Sequence, residues 1–295
     1  MWVVFLFAAA IGFFTFQTIS FKQFNRLFMK NAASYFMFFA LAFILICGIF
    51  MALRVDISRF TPSMTALSLA FAAAFISAMF FYMKAMENGP LGLSFLFFSA
   101  GMLVPIIFGI IVYNEPAPPH KAAGLVFMFA AFFISTRGGS GTAGTGGNLS
   151  RKWTVYIILG ALCNGGCTLV MKLFRTVASE EAVNEFLFLA FGQAAVIALA
   201  TGFVLLLKNK GNLSHFRSPA FLWVVLGAAV TTAGGNYMMI QLSLQVSALV
   251  QFPVINGALV ITSILASRVL FKEQVTKRHL QAIAVGLAAI VMLSI

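Results

Sequence analysis

The chain alternates between long apolar runs and short polar or Gly/Pro-rich separators. The runs cover residues 2–19, 33–53, 63–83, 91–112, 121–136, 154–175, 185–207, 219–241, 246–269 and 279–295. A helix rising 1.5 Å per residue needs about 20 apolar residues to cross the hydrocarbon of a bilayer. The pattern therefore predicts an all-α integral membrane bundle of ten transmembrane helices, the fifth run (121–136) being the shortest. Strands of a membrane barrel would be half as long and would alternate in polarity, which these runs do not. The separators read as turns. Residues 54–62 carry Arg54, Asp56, Arg59 and Pro62, Glu87-Asn88-Gly89-Pro90 is a tight breaker, and Asn114-Glu115-Pro116-Ala117-Pro118-Pro119 cannot continue a helix.

Composition agrees with lipid as the solvent. Of 295 residues 61% are hydrophobic and 9% charged, with a mean hydropathy of +1.01. A soluble domain carries about a quarter charged residues and could not hide this much apolar surface in one core. The 35 phenylalanines exclude a disordered chain. The net charge of +12 does not indicate nucleic acid, because the basic residues are scattered between apolar runs and form no basic stripe. Cys47, Cys163 and Cys167 lie inside apolar runs, an odd and sparse set that is no disulfide framework. Cys163 and Cys167 are one turn apart, but no His or acid accompanies them, so they read as packing residues and not as a metal pair. The first run opens without a basic n-region and is expected to be a retained span, not a signal peptide.

Residues 138–152 form a Gly/Ser/Thr-rich linker that divides the runs five and five, giving units 1–137 and 153–295. Gly139-Ser140-Gly141-Thr142-Ala143-Gly144 inside it matches G-x-G-x-x-G formally but lacks the strand-turn-helix context of a dinucleotide site. The two units share local features in the same order. Lys22 near the end of run one matches Lys172 near the end of run six, Tyr82-Met83 matches Tyr237-Met238, and the stretch from Glu115 to Ala131 matches that from Glu273 to Ala289. An odd number of spans per unit makes the second enter the membrane the opposite way round, the plan of inverted-repeat transporters.

The segment from Asn88 through Val104-Pro105 to Glu115, and the segment from Ser247 through Gln251-Phe252-Pro253-Val254-Ile255-Asn256-Gly257 to Glu273 with Gly286 beyond, resemble the two EamA repeats of the drug/metabolite transporter superfamily. That resemblance implies a ten-helix bundle with a cavity lined by spans one to four and six to nine. Spans five and ten then buttress the outside and face lipid or the second copy of a homodimer. It also implies a multi-pass protein of the cytoplasmic (inner) membrane with both termini inside. The charges say otherwise about orientation. Lys22, Arg26, Lys30, Lys84, Arg137, Arg151, Lys152, Lys208, Lys210, Arg217, Arg268, Lys272, Lys277 and Arg278, 14 of the 19 basic residues, fall in odd-numbered connections. The positive-inside rule places those in the cytoplasm and both termini outside, and this reading, taken directly from the chain, is preferred.

Polar groups inside spans are costly and therefore candidates for function. No acid occurs in 2–19 or 154–175, which disfavours a proton-coupled cation exporter of the small multidrug-resistance type. Glu115 and Glu273 sit at span ends, where pairing with Lys121 or Lys272 is the simplest expectation. Lys22 and Lys172 either attract an anion at a cavity mouth or extend to the headgroups. Asn164, Asn236, Gln251 and Asn256 offer uncharged donors and acceptors for substrate, and Ser94, Ser99 and Gln193 are secondary candidates for which helix-to-helix bonding is the simpler role. Tyr82 and Tyr237 are repeat-related aromatics suited to capping a cavity or anchoring at an interface, while Pro105 and Pro253 mark sites of helix break or gating. His120, His215 and His279 lie in connections, and the sequence holds no nucleophile elbow, zinc-protease motif or Walker lysine. The expectation is a transporter, not an enzyme, with no metal and no cofactor. It works by alternating access on a small polar metabolite, neutral, zwitterionic or anionic, such as an amino acid, as exporter or exchanger. The rivals are a low-selectivity multidrug efflux transporter and a non-transporting receptor or scaffold.

Overall fold

The structure, a computed structural model, describes residues 2–29, 31–104, 107–108, 111, 119–136, 150–177, 182–209, 218–246, 248–273 and 276–294. Among them there is no strand. The helices are α1 (Trp2–Leu27), α2 (Ala32–Ala52), α3 (Pro62–Asn88), α4 (Leu91–Ser99), α5 (Pro119–Thr136), α6 (Arg151–Val177), α7 (Val183–Asn209), α8 (Pro219–Gln245), α9 (Ala248–Val269) and α10 (Lys277–Ser294). Six of them (α1, α2, α3, α6, α7 and α8) are long and apolar enough to cross a membrane, and shorter apolar stretches occupy α5, α9 and α10. The fold is thus a multi-pass membrane helical bundle.

Helix starts follow local chemistry. Asn31 accepts from Ser34 N at 2.8 Å, Thr61 from Met64 N at 3.2 Å before Pro62, and Ser218 from Phe221 N at 3.2 Å before Pro219. Each side chain satisfies an orphan amide of the first turn, and proline at the next position loses no hydrogen bond. Ser218→Ala should lower stability by about 1 kcal/mol, read as a small fall in the detergent melting midpoint that Ser218→Asp does not produce. In the connection after α2, Asp56 accepts from the amide and hydroxyl of Ser58, and these bonds hold its carboxyl below the usual carboxylate range.

Several helices outrun their apolar segments. The first apolar run ends near residue 19, but α1 continues to Leu27, and α3 continues past Met83 to Asn88. The extensions are held by neighbours: Lys22 donates to Met86 O and Asn25 to Met83 O, each at 2.8 Å. The fourth run departs from a continuous span. After Ser99 it tightens into a 3-10 turn over Ala100–Met102, ahead of Pro105, which lies outside the described residues.

The closest helix pairs cross the mid-chain linker: α1 lies along α8, α3 along α6, α2 along α7, and α5 along α10, with α4 against α9. Glycines set several of these approaches. Gly234 and Gly235 of α8 receive the rings of Phe13 and Phe14, Gly92 of α4 abuts Ile264 of α9, and Gly286 of α10 receives Leu96. Aromatic rings fill the core. Phe24 stacks on Phe38 at 4.0 Å between ring centres, Phe28 meets Phe221 at 5.4 Å, and Phe191 lies edge-on to Phe75 at 5.4 Å. Such edge-to-face and offset pairs add to the dispersion of a bundle that gains little from hydrophobic burial in lipid. The outside is equally apolar, with Phe16, Phe129, Phe203 and Trp223 all exposed. A soluble monomer does not expose so much apolar surface, and lipid covers it here.

These contacts also sort the helix ends. Phe28 near the end of α1 meets Phe221 at the start of α8, Lys22 meets Met86 near the end of α3, Gly89 abuts Trp153 at the start of α6, and Lys22 meets Glu273 beyond α9. The ends flanking all five odd-numbered, basic-rich connections therefore lie at one end of the bundle. Asp56 and the start of α7 meet at the other, where Glu185 accepts from Asp56 N at 3.1 Å.

Candidate functional site

Among the described residues several groups of polar side chains lie between the apolar helices, and three of them gather sequence candidates or link the two halves. The first is in the seam between α1, α8 and α9. Gln17 donates to the Thr232 hydroxyl at 2.6 Å, and Thr15 and Thr262 share a hydrogen bond of 2.8 Å. Gln17, Thr232 and Asn236 are all buried. Asn236 donates from Nδ2 to Thr232 O at 2.8 Å, which fixes its amide beside Gln17's partner. A glutamine bonded across helices is the arrangement an amide needs when water is excluded.

The second group joins α4 to α6. The Asn164 side chain donates to Phe98 O at 3.2 Å, and the Asn164 backbone carbonyl accepts from the Thr168 hydroxyl. The Phe98 acceptor lies just before the 3-10 turn, where it also takes the Ala100 amide as the helical ladder changes register. Ser99 is buried and donates to Leu96 O within its own helix. Ser94 accepts from the indole of Trp153 at 2.9 Å, so it serves as helix-to-helix bonding near the basic end and is not a free cavity group.

The third group closes the basic end. Lys22 Nζ lies 2.7 Å from Glu273 Oε1, with side-chain exposures of 14% and 19%. Glu273 Oε2 accepts from Leu91 N at 3.0 Å and from the Ser267 hydroxyl, and Glu273 N donates to Ser267 O at 3.0 Å. The expected pairing of Glu273 with Lys272 is not what forms. Lys272 has a positive φ of 54° and is exposed, so the turn after α9 directs its side chain out and brings Glu273 inward. The carboxylate meets the first turn of α4, whose amides lack helical partners and favour negative charge. Lys22 correspondingly neither extends to the headgroups nor stands as an open anion receptor, because Glu273 occupies it. Tyr82, one turn further in, is buried, its hydroxyl has no hydrogen-bond partner among the described residues, and its ring lies 4.4 Å from that of Phe98.

The other sequence candidates fall as follows. Gln193 belongs to the α3–α7 seam, where it accepts from Ser68 at 3.0 Å and donates to Thr65 O at 3.2 Å, near the end opposite Lys22. Tyr237 and Asn256 are half-buried on α8 and α9. Gln251 and Pro253 lie within α9 and Lys172 within α6, but their side chains are outside the described residues. Glu115 is outside them altogether. Gln17, Thr15, Thr18, Thr232 and Thr262 were not anticipated, although each is a polar residue in an apolar run. Glu185 was also missed; it is 3% exposed, and its second carboxylate oxygen has no hydrogen-bond partner. Among the described residues no cluster of His, Cys, Asp or Glu has the makings of a metal site.

No family model matches the chain, and no curated protein does. Solved structures do share its fold. One crystal structure superposes with a TM-score of 0.62 over 98% of this chain and 95% of that one, at 14% sequence identity. The whole helical arrangement is therefore one that another protein adopts with very different residues.

Proposed function

We propose that this chain is a secondary transporter of the drug/metabolite transporter type, with ten spans in two inverted five-helix repeats. In this reading it moves a small polar metabolite by alternating access across the cytoplasmic membrane, as exporter or exchanger. The observation that carries the reading is the placement of uncharged polar groups. Gln17, Thr232 and Asn236 are buried between helices of the two halves, inside a bundle whose outer surface is apolar. Groups so costly to bury are retained where a polar solute must pass. Helix pairing supports the repeat. Raising or lowering each helix number by five turns the α1–α8 pair into α6–α3 and maps α2–α7, α4–α9 and α5–α10 onto themselves. The α2–α8 and α3–α7 contacts exchange in the same way, as do α1–α9 and α4–α6. A bundle built so has two equivalent rockings, one opening each face. The helix ends next to the basic-rich connections gather at one end, which supports a cytoplasmic location for that end.

The seam between the two halves holds amides and hydroxyls, the Lys22–Glu273 pair is internally neutral, and the buried Glu185 lies away from both, on the Asp56 amide at the opposite end; this favours neutral, zwitterionic or anionic solutes over organic cations. Purified protein should melt at a higher temperature with amino acids or small organic anions than without them. A ligand at a hundred times its dissociation constant stabilises by about 2.7 kcal/mol. Asn236→Ala should abolish that rise, and the same compounds should exchange across proteoliposomes. Stabilisation by lipophilic cations alone would support multidrug efflux instead. Binding without flux would leave a receptor.

A further inference from the structure

Lys22–Glu273 joins segments far apart in the chain, whereas Arg59–Asp56 and Lys84–Glu87 pair residues three apart. Its reach is wide. Lys22 ties α1 to Met86 of α3, and Glu273 ties the turn after α9 to Leu91 at the start of α4 and to Ser267 of α9. Asn25, almost one turn beyond Lys22, fastens the same stretch of α1 to Met83 O. Four helices thus converge on one carboxylate and one ammonium at the basic end. Thr18 and Tyr82, each about one turn further in, are buried beneath this network, so the bundle is closed at the basic end.

We propose that the Lys22–Glu273 pair is a latch holding the basic end shut, and that it must separate before α1 can part there from α4 and α9. The proposal rests on the transporter reading for its purpose but not for its test. Thr18 lies one turn inside Lys22 on the same face of α1 and is 4% exposed. A reporter at that position is shielded while the latch holds and becomes reachable by water when it opens.

The experiment uses full-length protein with Cys47→Ala, Cys163→Ala, Cys167→Ala and Thr18→Cys, in right-side-out and inverted membrane vesicles, labelled by a membrane-impermeant maleimide. With the pair intact, labelling from the basic end should be slow. Glu273→Gln, which keeps an acceptor oxygen but removes the charge, should raise that rate at least tenfold from the basic side alone. Lys22→Gln should act alike and serves if the first variant folds poorly, whereas Lys272→Ala should leave the rate unchanged. An unchanged rate in both latch variants, or an equal rise from both sides, overturns the proposal, since the pair is then merely structural. Because labelling needs no solute, the two readings fail separately. Flux with no change in labelling removes the latch, and changed labelling with no flux of any solute keeps the latch and removes the transporter.

Discussion

Glu273→Ala is expected to be among the most destabilising single substitutions in this protein. It removes the counter-charge of Lys22 and the acceptor of both Leu91 N and Ser267. Removing one partner of a buried pair costs several kcal/mol, because the remaining charge has neither water nor a counter-ion. Both side chains here keep some exposure, which places the loss near the low end, about 3 kcal/mol. The detergent melting midpoint should fall by roughly 5–10 °C, on the scale by which stability shifts midpoints in domains of comparable size. Lys22→Met leaves Glu273 with two donors but no cation and should cost less. Combining Lys22→Met with Glu273→Ala removes both charges, so the double variant should lose clearly less than the sum of the singles. Additive losses would show that the two residues act independently, against the geometry. Lys272→Ala supplies the contrast: its residue matters through a left-handed backbone that alanine tolerates no worse than lysine, so the midpoint should hardly move. Lys272→Gly, free of a Cβ, should raise it slightly.

The features legible in the sequence were those set by near neighbours. Apolar run lengths located the helices, and the caps at Asn31, Thr61-Pro62 and Ser218-Pro219, although not used to place the helix starts, are chemistry over three or four positions that a sequence can display. The hydrogen-bond partner of a buried polar group was less legible. Adjacency in sequence favours Lys272 for Glu273, but a positive φ at Lys272 sends consecutive side chains apart, and the chosen partner comes from the first helix. The lack of an acid in residues 2–19 likewise says nothing of Gln17, the one amide in that run, whose importance follows from Thr232 lying opposite on α8. Asn236 was visible because an amide in an apolar run is a debt that some neighbour must settle, and Gln17, an amide of the same kind, was passed over. Ser94 and Gln193 show the converse, since polar residues in spans are also used simply to hold helices together. The tightened turn at Ala100–Met102 was not legible from Pro105, because it answers to what α6 presents on the other side.

That crossing of α4 and α6 carries the second large expectation. A Cβ at Gly165 would overlap both Gly101 O and Val104 Cγ2, and one at Gly101 would overlap Ala161 O. Backbone faces backbone, so no side-chain rotation relieves the clash, and the helices must separate. Small residues at such crossings are how membrane helices come close enough for dispersion to hold them. Overpacking of this kind costs about 1–3 kcal/mol for one added methyl group and more for a branched side chain. Gly165→Ala should therefore lower the melting midpoint measurably, and Gly165→Val should prevent recovery of a monodisperse protein or lower the midpoint further still. Gly12 of α1 and Gly48 of α2 are the controls, because a Cβ at either meets nothing within 4 Å. Alanine there should be neutral or stabilising by up to about 1 kcal/mol, the gain from helix propensity alone. The separation also has a local reading. The Asn164 bond to Phe98 O spans the same crossing, so Gly165→Ala should weaken any ligand-dependent stabilisation that depends on Asn164 by more than it weakens the unliganded protein. If Gly165→Ala melts like the parent while Gly12→Ala does not, the two helices are not in backbone contact at Gly101, and the placement of Asn164 beside α4 falls with that contact.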